Sequence, residues 1–316
     1  MELFDLLQER RYEEALPLIE EALEKDPQNA KLWGYKGVAL RNTGHPEQAC
    51  PCYEKALEFN PEDADMWLNR GMSIRFMNRK NTHIQAIESY SNAVKYDPTC
   101  EDAYNNLGNV LSRIAFTTPD ADEAADLYKR SEEAYSKALE LNPNRAEYPA
   151  NLAVLYHKEG RLAKGIEACD KAIALDASYQ DAWFIKGCLL SDYHKDDEAI
   201  VSFKKALEIN PNSVTALKTL INLALSLFFT GDADSAIDSL NKAVTLKTEG
   251  FNPMLPLMWA NAYYDLALIY RRTGRMEESK EAFKKSLENQ EKGELFYDIR
   301  KEATSPYAAV FEHYSR

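Results

Sequence analysis

Residues 30–63 read AKLWGYKGVALRNTGHPEQACPCYEKALEFNPED, and the residues that follow repeat the pattern. Trp33, Gly37, Leu40, Ala49, Tyr53, Ala56 and Pro61 reappear as Trp67, Gly71, Ile74, Ala86, Tyr90, Ala93 and Pro98. A third clean copy, Trp183, Gly187, Leu190, Ala199, Phe203, Ala206 and Pro211, lies far downstream. This series of aromatic, small and large residues closed by proline is what two antiparallel helices need to interlock and to stack on an identical neighbour. Nowhere do apolar and polar residues alternate long enough between turn clusters to build a sheet, so the chain reads as all-α.

Degenerate copies fill the remainder. They run through Tyr104, Leu107, Gly108, Leu111, Tyr135, Ala138 and Pro143, then Leu152, Ala153, Tyr156, Gly160, Cys169 and Ala172, with Ala177 where proline is usual. Leu217, Leu220, Ile221, Gly231, Ala236, Leu240 and Ala243 follow, then Tyr263, Leu266, Ala267, Tyr270, Gly274, Ser279 and Phe283. At the start, Tyr12, Ala15, Ile19, Ala22 and Pro27 match the second half of a copy. Over nearly its whole length the chain resembles the tetratricopeptide repeat (TPR) family. The resemblance implies a right-handed α-solenoid superhelix of about eight helix-turn-helix units with a C-terminal capping helix. The units fall at 1–29 (partial), 30–63, 64–100, 101–145, 146–179, 180–213, 214–250 and 260–293, with 294–316 as the capping helical tail. Such an array is one quasi-linear body in which each unit touches only its neighbours. The short opening helix is expected to expose Leu3, Phe4, Leu6 and Leu7, as a covered interface or as the cut edge of a longer parent.

The net charge of −13 over 316 residues opposes a polyphosphate, so nucleic acid is excluded as a partner and a basic or neutral protein is favoured. No apolar run reaches membrane-spanning length, and Glu2 and Asp5 stand where a secretory signal needs positive charge. A cytoplasmic location without membrane association is the expectation, with reduced cysteines. Cys50 and Cys52 flank Pro51, but no second pair supplies further metal ligands. The glycines sit at helix crossings or turns and make no phosphate loop or nucleophile elbow, while His45, His83, His157, His194 and His313 lack metal-ligand spacing. The chain therefore reads as a non-enzyme without cofactor or metal.

Four places break the repeat. Asn78 to Thr82 lengthens a turn and reads as a solvated loop. Gly108 to Ala138 spans 30 residues against 19 from Gly37 to Ala56, an insertion of eleven. There Thr118 and Pro119 read as cap and first residue of an early second helix, whose Ala121, Ala124, Ala125, Leu127 and Tyr128 pack on the preceding helix or touch a partner. Asn252 reads as the cap of a long helix from Pro253 through Trp259 toward Tyr270. The tail carries Phe296, Tyr297, Tyr307, Phe311 and Tyr314 and reads as a cap on the last unit, or as a segment folding into the groove. Pro17 and Pro51 share one slot of successive second helices and are read as tuning curvature.

By resemblance, the first helix of each unit lines a concave, peptide-binding groove. Asn69, Asn106 and Asn151 recur at its sixth position, joined by Asn105 and Asn109. An asparagine presents both a donor and an acceptor, so a row of them can grip a peptide backbone regardless of sequence. The superhelix of the O-linked N-acetylglucosamine transferases, which the array resembles, holds backbones this way. Bonding of these asparagines to neighbouring helices is the alternative. Arg75, Arg113, His157 and Lys158 complete the candidate groove residues. The acids Asp65, Asp102, Glu147 and Asp181 near helix starts, and Arg41, Arg75, Arg113, Lys158, Arg271 and Arg272 near helix ends, also suit the helix dipole. A chaperone-type carboxylate clamp is matched only by Lys218 and Asn222, because Asp265 stands where it needs asparagine.

The functional expectation is a protein-protein interaction scaffold holding an extended or helical segment of a partner. Two alternatives are the recognition arm of a larger, glycosyltransferase-like enzyme and a homo-oligomer formed through exposed terminal repeats.

Overall fold

Antiparallel helix pairs follow one another through the computed structural model, which describes residues 3–77, 82–247 and 254–294. The chain divides into two compact units, residues 1–160 and 161–316. In the first are α1 (Leu3–Gln8), α2 (Tyr12–Lys25), α3 (Ala30–Asn42), α4 (Pro46–Phe59), α5 (Ala64–Met77), α6 (Thr82–Tyr96), α7 (Glu101–Thr117), α8 (Ala121–Leu141) and α9 (Glu147–Lys158). In the second are α10 (Leu162–Leu175), α11 (Gln180–Asp192), α12 (Asp196–Ile209), α13 (Val214–Phe229), α14 (Ala233–Thr245), α15 (Leu255–Arg272) and α16 (Met276–Glu294). No strand occurs among the described residues.

Why these residues pair as they do is plainest at the crossings. Gly37 on α3 lies against Tyr53 on α4, where an added Cβ would stand 2.6 Å from ring atom Cε1. Gly71 meets Tyr90 in the same way, Gly108 meets Tyr135, and Gly187 meets Phe203. The four rings are fully buried or nearly so, each contributing roughly 1.5–3 kcal/mol by leaving water. The repeat aromatic makes a second bond, since the indoles of Trp33, Trp67 and Trp183 donate Nε1–H to the carbonyls of Pro27, Pro61 and Ala177 at 2.8, 2.8 and 3.0 Å. A backbone carbonyl suffices as acceptor, which is why Ala177 replaces proline without losing the contact.

The tight turns ahead of these helices share a left-handed residue two positions before the helix start. Gly44, Gly160, Gly231 and Gly274 fill that slot with φ of +87°, +70°, +92° and +79°, while Arg10 (+58°) and His194 (+59°) fill it with a side chain. The turn between α7 and α8 departs from this form, with Pro119 in the slot.

All eleven inserted residues of the fourth repeat enter helix. Beyond Gly108, α7 runs four residues further than α3 does beyond Gly37, and α8 begins seven residues further ahead of Ala138 than α4 ahead of Ala56. The helix does start early, but its cap is Asp120, whose Oδ1 accepts from Glu123 N at 2.8 Å; Thr118 instead closes α7. A carboxylate one residue from the helix answers the dipole better than a hydroxyl three residues away. Leu127, with Tyr128, packs on Leu111, Ala115 and Ile114, with Ile87 beside them, whereas Ala121 and Ala125 of the extension are exposed.

At the amino end, Leu6 is 3% exposed and packs with Ala15, Ile19 and Ala39, Leu3 and Leu7 are half-buried against them, and only Phe4 stands out at 58%. The expected exposure of Leu6 is thus corrected: its i, i+3, i+4 partners face α2. Of the expected loop at Asn78 to Thr82, Thr82 is a buried helical residue and 78–81 lie outside the described residues. Asn252 and Pro253 also lie outside them, and α15 opens at Leu255 with Pro256 in its first turn. The capping tail beyond Glu294 lies outside them too. In the second unit α13 is buried along most of its length, and Trp259, Phe228 and Tyr263 pack on its cluster.

Candidate functional site on the first-helix face

Consecutive first helices approach one another, α3 to α5 and α7 to α9 in one unit, α11 to α13 and α13 to α15 in the other. Each second helix reaches the next repeat mainly through that repeat's first helix. The first helices of each unit therefore contact one another directly, and they carry the candidate residues.

In the first unit those residues are tied together by a regular ladder. Arg41 Nη1 donates to Asn69 Oδ1 at 2.7 Å, and Asn69 Nδ2 donates to the Asp65 carbonyl at 2.8 Å. One repeat later Arg75 Nη1 donates to Asn106 Oδ1 at 3.2 Å, and Asn106 Nδ2 to the Asp102 carbonyl at 2.8 Å. The register is constant: the arginine lies four residues after its crossing glycine, Gly37 or Gly71, and the asparagine two before the next, Gly71 or Gly108. The asparagines thus do bond across to neighbouring helices, though each amide retains one N–H and one lone pair.

The other asparagines are more deeply committed. Asn105, 4% exposed, donates to Glu147 Oε1 at 3.1 Å and accepts from Asn151 Nδ2 at 2.8 Å. Asn109 Oδ1 accepts from the Tyr135 hydroxyl at 2.9 Å. Asn105 is thus a buried strut rather than a surface group, while Asn109, half-exposed like Asn106, satisfies a phenol that its counterparts Tyr53 and Tyr90, with Val38 and Met72 in that slot, leave unbonded. Asn69, Asn106 and Asn151 remain half-exposed on the face.

At the ends of α7 and α9, Arg113 Nη2 lies 2.8 Å from His83 Nδ1, so the ring accepts there and carries its proton on Nε2. Burial, then the Arg113 charge, holds the His83 pKa below its ordinary value. Lys158 donates to Ser112 Oγ at 3.0 Å with its ammonium 5.7 Å from the centroid of the exposed Phe116 ring. Its pKa is lowered by desolvation first and Arg113 second. His157 is half-buried beside it. Sequence spacing does not bring out His83, Ser112 and Phe116, because they come from different slots of different repeats.

In the second unit the polar contacts on the first helices take other forms. The Thr215 hydroxyl donates to Asp181 at 2.7 Å, Ser226 to Ser191 at 3.2 Å, and Asn222 Nδ2 to its own helix at the Lys218 carbonyl. No cluster of three His, Cys, Asp or Glu able to hold a metal occurs among the described residues, and no helix among them is long and apolar enough to cross a membrane. The five cysteines form no disulfide; Cys50, Cys52 and Cys169 are buried, and burial pushes the Cys50 thiol up to about 11.

Stacked hairpins with an aromatic–glycine crossing define a class of helical interaction repeat. The chain belongs to the tetratricopeptide repeat family, whose models match residues 6–70, 80–114, 128–182, 180–213, 217–249 and 260–292. It is similar to human Protein O-mannosyl-transferase TMTC3, 24% identical over 88% of this chain and 30% of that protein. Another relative is Hsp70-Hsp90 organizing protein 3 of Arabidopsis thaliana, 29% identical over 37% of this chain and 19% of that one. The chain thus spans less than a third of the length of these curated relatives. A tetratricopeptide repeat protein from Parabacteroides merdae shares the fold, with a TM-score of 0.63 at 14% identity over 82% of this chain and 95% of that one.

Proposed function

We propose that the protein is a cytoplasmic interaction scaffold that holds an extended or helical segment of a partner protein along its first-helix face. The observation that carries this reading is the oriented amide row of Asn69, Asn106 and Asn151. Each is fixed by a neighbour or by its own helix, so little side-chain entropy remains to be lost on binding, and each keeps polar capacity for a backbone amide. Arg75, Arg113 and Lys158 flank the row with positive charge, and His157 with an imidazole, which suit carboxylates or carbonyls of the segment. The test is quantitative capture by the full chain and by the triple variant Asn69→Ala, Asn106→Ala, Asn151→Ala, with matched melting curves. Three lost hydrogen bonds of roughly 0.5–1.5 kcal/mol each weaken a ligand about tenfold to a thousandfold. Unchanged capture rejects the amide row as the binding element.

A second reading, the recognition arm of a larger enzyme, is favoured by the alignment of 88% of the chain with a part of an O-mannosyl-transferase. Immunodetection of the native polypeptide tests it: a species much longer than 316 residues supports the arm, and one of that length opposes it.

A further inference from the structure

On α15, Asp265 is 5% exposed, and its carboxylate makes no hydrogen bond or ion pair among the described residues. Leaving a buried carboxylate unpaired is costly, and proteins normally match such a group with a cation. The ladder of the first unit indicates where that cation would stand. There, an arginine four residues past one crossing position reaches the residue two before the next. In the second unit the crossing residues are Ile221 on α13 and Ala267 on α15, so Asp265 takes the acceptor's place and Leu225 the donor's. Leu225 is buried and has no charge to give. An acid thus stands where the ladder has asparagine, and the arginine is absent.

Other charges do not replace it. Lys218 is the one charged residue of α13, α14 carries Asp234, Asp238 and Lys242, and α16 is rich in both signs, yet burial is the sole influence on Asp265. A single carboxylate without companion ligands does not make a metal site. Exposed side chains on the same two first helices are Lys218 on α13 and Tyr264 on α15. A net charge of −13 draws basic segments toward the chain.

We infer that Asp265 receives an arginine or lysine side chain of the partner segment, completing from outside the ion pair that Leu225 leaves open. This rests on the first-helix face being the binding face and gives that face a preference for basic segments at its C-terminal end. It also carries a pH signature. Burial pushes the free carboxyl up to about 7, and a bound cation favours the ionised form, so binding below that pH must release a proton. Affinity falls as pH drops through about 7.

The experiment uses the full chain and fluorescein-labelled, unstructured dodecapeptides that carry arginine or its neutral isostere citrulline at the same positions, read by fluorescence anisotropy. The unaltered protein prefers the arginine peptide at least tenfold, and affinity rises from roughly pH 6 to pH 8. In Asp265→Asn, an isosteric change, the preference and the pH dependence vanish. Leu225→Arg supplies the guanidinium internally, so it abolishes the preference and raises the melting temperature. Undiminished arginine preference in both variants overturns the inference, because the acidic surface at large is then responsible. Equal binding of both peptides by all forms overturns it while leaving the first-helix reading standing; absence of any peptide binding removes both.

Discussion

Arg41 on α3 and Asn69 on α5 join two successive repeats through one 2.7 Å hydrogen bond, and Arg75 and Asn106 repeat the link one hairpin later. The bond is charge-assisted and part-buried. A double-mutant cycle with Arg41→Ala and Asn69→Ala, followed by urea unfolding, is expected to give a coupling of about 0.5–1.5 kcal/mol. A coupling indistinguishable from zero would mean that the ladder orients the amides without stabilising the stack.

Gly108→Ala places a methyl 2.8 Å from Tyr135 Cδ1 and Cε1, where the buried ring has no room to retreat. The expected loss is about 1–3 kcal/mol by denaturant unfolding, despite alanine's better helix propensity. An unchanged or stabilised variant contradicts the tight crossing.

His194 holds φ at +59° in a slot that glycine fills in four other turns. Relieving its Cβ clash gains roughly 1–2 kcal/mol, and glycine's looser unfolded chain takes back about 0.4–1. His194→Gly therefore raises the melting temperature measured by calorimetry. A fall would show that the imidazole makes a contact worth more than the strain.

His83 is kept neutral by burial and by Arg113. A histidine whose folded pKa lies below its unfolded value binds fewer protons when folded, so its contribution is complete above the unfolded pKa near 6.5 and declines as pH falls below it. Stability measured across roughly pH 5 to 8 should fall toward the acid side more steeply for the native chain than for His83→Gln. Parallel curves would remove this coupling.

How far the sequence carried can be judged from particular residues. Trp33, Gly37, Tyr53 and Pro61 sit at fixed intervals and locate their helices, crossing and turn, because each contact lies within one hairpin or reaches only the turn that joins it to its neighbour. Asn105 reads in sequence like Asn106, yet one is buried and the other half-exposed, since a step of one residue rotates a side chain about 100° around the helix. Leu6 reads as exposed in a short helix until α2 is placed beneath it. Asp120 outcompetes Thr118 as a cap because the insertion lengthens two helices and leaves a short turn between them.

Repetition of the small–aromatic crossing by itself determined the all-helical class and the succession of helix pairs, because those depend on short-range packing that recurs every repeat. The tertiary structure alone decided which polar residues on that face are already engaged. Arg41 reaches Asn69 and Arg75 reaches Asn106, whereas Asp265 is buried and stays unpaired among the described residues. Whether a charge finds a partner depends on the register between two helices some thirty or forty residues apart in sequence, which only their packing fixes.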